Sequence, residues 1–64
     1  MRLSKKWVDK LVNLPEAGMA YQVVDVILED SRTIQGLIVL GCQDILGHVS
    51  FSESDIVDIT ISNP

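Results

Sequence analysis

The stretch from Leu14 to Leu40, LPEAGMAYQVVDVILEDSRTIQGLIVL, decides how this chain folds. A proline and a glycine mark its entry; two apolar-rich runs follow, separated by a polar turn. In the first run, Tyr21 to Leu28, an extended backbone puts Val24, Val26 and Leu28 on one face. Tyr21, Val23, Asp25 and Ile27 take the other. Both faces are largely apolar, which predicts a strand covered on two sides, between layers or inside a closed barrel. Glu29, Asp30, Ser31 and Arg32 form the turn, where Asp and Ser side chains bond neighbouring backbone groups. Thr33 to Leu40 is the return strand, and strict alternation groups Ile34, Ile38 and Leu40 against Leu37 and Val39. Gly36 interrupts it. A mid-strand glycine marks a bulge or a sharp bend, the device that curls a small sheet toward closure.

Working outward, residues 4–13 read as a short helix. Ser4 stands where an N-cap belongs, with Leu3 and Val8 at the positions of a hydrophobic staple. Trp7, Val8, Leu11 and Val12 recur at one-turn spacing and predict one apolar face. Lysines in the first turn oppose the helix dipole, so this helix must be held by packing. Pro15 stops it, because the residue before a proline is pushed out of the helical region. Downstream, residues 43–46 and 48–51 each have room for a short strand. Ser52 to Asp55 reads as a single capped helical turn, and Ile56 to Ile61 as a last strand alternating Val57, Ile59 and Ile61 against Asp58 and Thr60. Residues 62–64 read as a tail.

These elements predict one small domain over residues 1–64, with a helix at 4–13 and a β unit at 21–61. The fold class is mainly β: a strongly bent antiparallel sheet, an SH3-like or Sm-like partial barrel. The alternative is an open antiparallel sheet with the helix packed on one face. In a chain of 64 residues, only ~60% of the unfolded surface is buried on folding, and small scaffolds often add disulfides, metals or self-association. One cysteine and one histidine give neither an internal disulfide nor the ligands of a structural zinc site. No metal or cofactor is expected, and a homo-oligomer is.

The net charge of −4 is unevenly placed. Arg2, Lys5, Lys6 and Lys10 dominate the first ten residues, while beyond them Arg32 stands alone against eight carboxylates, from Glu16 to Asp58. An acidic body repels phosphate backbones and disfavours nucleic acid as a partner. No stretch approaches the ~20 apolar residues that span a bilayer, and no secretory signal pattern follows the first lysines. A membrane partner is disfavoured and a cytoplasmic location expected, in keeping with the unpaired cysteine.

Chemistry has few places to reside. Cys42, Asp44 and His48 form a nucleophile–base–acid set on paper, but no helix start, glycine elbow or oxyanion motif accompanies the cysteine. The four glycines form no phosphate-binding loop. No catalytic residue is therefore assigned, and the chain is expected not to be an enzyme.

The segment Pro15-Glu16-Ala17-Gly18-Met19-Ala20-Tyr21, followed by Val23 to Val26, resembles a set of short uncharacterised bacterial proteins. Those carry a P-E-T-G-M-G-Y-like opening before a V-x-L-x-D-G-R hairpin, then a phenylalanine, an acidic helical turn and an isoleucine-rich strand. Phe51, Ser52 to Asp55 and Ile56 to Ile61 match the later part. Departures are Ala17 and Ala20 in the opening and Ser31 where the hairpin has glycine. The resemblance implies no activity. A fainter similarity to the Sm family implies barrel geometry; that family's RNA-pocket asparagine and basic dipeptide have no counterpart after Asp44 or at Ser54-Asp55.

The reading that follows is a non-enzymatic protein-interaction or self-assembly module. Its expected binding residues are Glu16, Met19 and Tyr21, displayed on a loop over a rigid scaffold. Self-association is expected through the apolar helix face or a sheet edge. The alternative is Sm-like nucleic-acid binding through Lys5, Lys6, Lys10 and Arg32.

Overall fold

Strand β1, Tyr21–Leu28, pairs along both of its edges and is the longest-engaged strand of the sheet. The computed structural model describes residues 1–62; of the tail expected at 62–64, residues 63–64 lie outside the described residues, and the Ser62 N–H donates to the Val23 carbonyl at 2.9 Å. Helix α1 spans Lys5–Leu11, and β1 is followed by β2, Thr33–Leu40, and a short β3, Asp44–Ile45. A 3-10 turn at Glu53–Asp55 leads into β4, Ile56–Ile61. The sheet is antiparallel in the order β3-β2-β1-β4. It curls into a half-barrel, mainly β, with the helix packed into its concave side. Residues 48–51 form no strand.

One face of β1, carrying Gln22, Val24, Val26 and Leu28, is buried. Val39, Ile45, Phe51, Ile56 and Ile59 meet it from the sheet and its connections, and Leu3, Trp7 and Leu11 close the core from the N-terminal side. Burying the Trp7 and Leu11 side chains is what holds a helix of seven residues together. The helix ends two residues before its apolar spacing predicts, because the Asn13 and Leu14 amides turn back to the Lys10 and Leu11 carbonyls three residues earlier, and Gln22 fastens this turn to the sheet. Its Nε2 donates to the Leu11 carbonyl at 2.8 Å and to the Leu14 carbonyl at 3.2 Å. The Leu11 carbonyl belongs to the last helical residue and also accepts from the Leu14 N–H at 3.0 Å; the Leu14 carbonyl stands in the turn that follows, beyond the reach of intrahelical partners. At the other end Ser4 occupies the N-cap position, but its side chain makes no capping bond; its amide donates instead to Glu53 Oε2 at 3.1 Å.

Two bulges change the phase that strict alternation predicts. Val24 pairs with Leu37 and Val26 with Ile34, so Gln35 and Gly36 together oppose Asp25. Gly36 takes a φ of +73°, and its N–H donates to Asp25 Oδ1 at 3.1 Å. The extra residue turns Ile34 to the inner side with Leu37 and Val39, leaving Ile38 and Leu40 outside. A second bulge at Val57 brings Ile56 and Ile59 both inward and leaves Val57 exposed. Asp25 therefore does not guard a sheet edge, the structural role its sequence context suggests. It sits on the central strand and fixes a bulge.

The β1–β2 turn has three residues between Leu28 and Arg32, with the Leu28 N–H donating to the Arg32 carbonyl at 2.8 Å. Such loops place their third residue in the left-handed region, and Ser31 has a φ of +72°. Ala20, in the turn before β1, has a φ of +64°. An L-residue pays a steric penalty there that glycine does not. Ser31→Gly and Ala20→Gly are each expected to raise stability by about 1 kcal/mol, seen as higher urea midpoints with unchanged slope. A lower midpoint for either variant contradicts the turn geometry.

Candidate functional site

The face of the sheet opposite the core has no second layer over it. Cross-strand pairing puts Tyr21 beside Leu40 and Val23 beside Ile38 on this outer face. The Leu46 amide donates to the Ile38 carbonyl at 2.8 Å, which sets Leu46 beside Ile38 and extends the row by one strand. Tyr21 is 36% exposed, Ile38 42%, Leu40 45% and Leu46 46%. At the Tyr21 end stands Met19, 95% exposed at the tip of the preceding turn. Together they make one apolar strip across three strands.

The turn that presents Met19 is firmly built. The Ala17 N–H donates to the Tyr21 carbonyl at 3.0 Å, and the Gly41 N–H to the Ala20 carbonyl at 2.8 Å. Gly18 matters through space: a Cβ there would stand 2.3 Å from Tyr21 Cε1. The tyrosine ring thus lies directly over the glycine, and Ala20 supplies the left-handed residue of this turn. Glu16 is exposed beside it. Of the expected binding residues, Met19 and Tyr21 belong to the apolar strip, and Glu16 stands on the same loop.

The two routes to self-association expected from the sequence are both largely taken up within the chain. Most of the expected helix face is spent on the chain's own core, with Trp7 5% and Leu11 0% exposed, while Val12, at the helix C-cap, is 59% exposed. The β3 edge is covered by the N-terminal segment: the Met1 ammonium donates to the Ile45 carbonyl at 2.7 Å, the Ile45 N–H to the Met1 carbonyl at 2.8 Å, and the Leu3 N–H to the Gln43 carbonyl at 2.7 Å. At the β4 edge, Asp58 Oδ1 accepts from the Ile59 N–H at 2.9 Å and also meets Lys10 Nζ. An amide engaged by its neighbour's carboxylate is poorly placed to pair with an incoming strand.

Charge on the outer face is sparse. Arg2 bridges to Asp44, and Asp44 pairs with Leu40, so both lie on the same side as Leu40. Arg2 Nη2 donates to Gln43 Oε1 at 3.3 Å. The other cations are largely engaged: Lys5 with Asp9 at 2.7 Å, Arg32 with Asp30 at 2.6 Å, Lys10 with Asp58, and Lys6 over the Trp7 ring at 4.8 Å. The Lys10 ammonium holds the Asp58 carboxyl below its usual range, and the Arg32 amide does the same for Asp30.

A depression of about 220 Å³ lies beside the β1–β2 turn, lined by Leu28, Glu29, Asp30, Arg32 and Asp55. That is below the ~300 Å³ at which small-molecule pockets begin, and its walls are mostly polar. Cys42 is half-buried at a φ of +62°, and His48 is exposed. Among the described residues no three His, Cys, Asp or Glu side chains gather closely enough to hold a metal ion. Among the described residues, no helix is long and apolar enough to cross a membrane.

No family model, curated protein or solved structure matches this chain. Ile38, Leu40 and Leu46, which carry the middle of the strip, do not stand out in the sequence as site residues. Their one signal is β1, apolar on both faces where a lone curled sheet buries one.

Proposed function

We propose that this chain is a non-enzymatic protein-interaction module whose working surface is the outer face of its sheet. The observation that carries this reading is the strip of Met19, Tyr21, Leu40, Ile38 and Leu46. Scattered exposed apolar side chains are ordinary, whereas a contiguous row including an aromatic and a methionine has the composition of an interface core. The rigid turn under Met19 and Tyr21 supports the same reading, since a pre-ordered surface loses less entropy on binding. Nucleic-acid binding has weaker support, because Lys5, Lys10 and Arg32 already carry carboxylate partners.

Photocrosslinking in the source cells tests it. With a benzophenone amino acid in place of Leu40, a discrete protein adduct is expected; in place of exposed Glu29, on the β1–β2 turn, it is not. Equal labelling at both positions, or none at position 40, contradicts the proposal.

A further inference from the structure

We infer that the outer face receives a basic amphipathic helix of another protein, its apolar side on the strip and its Lys or Arg side chains over the carboxylates that border it; this rests on the interaction reading above and names the partner's chemistry. Charge selects the sign of the occupant. Asp44 pairs with Leu40 at one corner of the strip, and Asp25, on the same side of β1 as Val23, marks the opposite corner. Glu16 is exposed on the loop that carries Met19. Among the described residues, no cation lies within ion-pair distance of these three carboxylates. Lys5, Lys10 and Arg32 are paired with Asp9, Asp58 and Asp30, and Lys6 stands over Trp7. Arg2, opposite Asp44, is the one cation bordering the strip. An apolar strip edged by three carboxylates against one guanidinium, on a chain of net charge −4, is complementary to a cationic partner.

Backbone and shape select a helix. An extended segment gains its affinity by pairing with a sheet edge, and here the N-terminal segment covers the β3 edge while the Asp58 carboxylate engages the Ile59 N–H at the β4 edge. A helix satisfies its own backbone and binds through side chains alone. The sheet curls around α1, so the outer face is convex. A rod roughly 10 Å wide lies along the straight direction of a curled sheet. A second copy would bring the same curvature and the same carboxylates, and would touch only along a ridge. Tyr21, Ile38, Leu40 and Leu46 each expose less than half of their surface. The apolar contact is therefore small, and the association is weak and reversible.

Two synthetic peptides of roughly 18 residues, about five helical turns, serve as probes. Both carry leucine along one face; the rest is lysine in one and glutamate in the other. Titrated into the full chain and followed by two-dimensional nitrogen–proton NMR, the lysine peptide is expected to shift the amide signals of Tyr21, Ile38, Leu40 and Leu46. Saturation is expected between about 10 µM and about 1 mM. The glutamate peptide is expected to shift none of them. Ile38→Glu, with the parent circular dichroism, weakens binding of the lysine peptide about tenfold or more, although it adds a negative charge. Asp44→Asn weakens it about threefold, as the loss of one exposed charge contact does. Glu29→Gln, the same charge change on the β1–β2 turn, leaves it unchanged. If Ile38→Glu fails to fold, the comparison of Asp44→Asn with Glu29→Gln decides. Equal binding of the two peptides overturns the inference, as do shifts centred on residues 29–32, or a folded Ile38→Glu that binds the lysine peptide as tightly as the parent. If neither peptide binds, the basic helix is overturned, and the crosslink at position 40 separates the two readings. An adduct with another protein then overturns the helix chemistry alone, and an adduct of twice the chain's mass puts a second copy there instead. No adduct overturns the interaction reading as well.

Discussion

Gln22→Glu is expected to unfold this protein at neutral pH. Gln22 is 1% exposed, and its amide donates to two carbonyls at the helix end. A carboxylate there points negative oxygens at carbonyl oxygens in a site closed off from bulk solvent, at a cost above about 4 kcal/mol. A chain of this size has about 3–10 kcal/mol in total. The pH dependence follows in sign. Burial raises the new carboxyl's folded pKa above its unfolded value of about 4.3. The penalty is therefore full above the folded pKa and fades as pH falls toward the unfolded one. The protonated acid has one donor, which restores one of the two bonds.

Gln22→Leu separates charge from hydrogen bonding. It leaves both carbonyls without a side-chain partner but also removes Gln22 Oε1, a buried oxygen that no group among the described residues meets with a hydrogen bond. A loss of about 2 kcal/mol, independent of pH, is expected. Thermal melts of both variants between about pH 4 and 8 check this. A Gln22→Glu protein as stable as the parent at pH 7 would remove the amide from its assigned role.

Leu11→Ala is the second large effect. Leu11 is fully buried, and its carbonyl is one of the two that Gln22 holds. Truncation removes apolar burial and leaves a cavity between helix and sheet, costing about 3–5 kcal/mol. A seven-residue helix has little stability of its own, so the loss falls on the docking of the whole N-terminal segment. Trp7, the single tryptophan, reports it. Its emission is expected to shift to the red at lower urea concentration than in the parent, together with the loss of far-ultraviolet signal. A change below about 0.5 kcal/mol would mean that the helix is peripheral to the fold.

The candidate site was partly legible. Met19 and Tyr21 announce themselves beside a proline and a glycine in a short polar loop. Ile38 and Leu40 do not, because alternation alone groups Ile34 with them, and only the bulge at Gly36 parts them. Gly36 signals that some irregularity exists. Whether the chain inserts a residue or merely bends depends on where the opposing strand offers a partner, and Asp25 offers one through its carboxylate. Val57 likewise alternates with Asp58 in the sequence as a core residue would, yet the second bulge turns it outward.

The sequence by itself determined the elements: β1, β2 and β4 coincide with their apolar runs, a short helix precedes the proline, and the acidic turn precedes the last strand. Local propensity and side-chain period suffice for that, because each run carries its own signal within a few residues. What the tertiary structure alone decided is which apolar face of β1 receives the core. Both faces are nearly equal in hydrophobicity. The choice is made by Trp7 and Leu11 arriving on one side and by Gln22 fastening the end of their helix there. That docking buries one face and leaves Tyr21 and Val23, with Ile38 and Leu40 beside them, as the surface still to be covered.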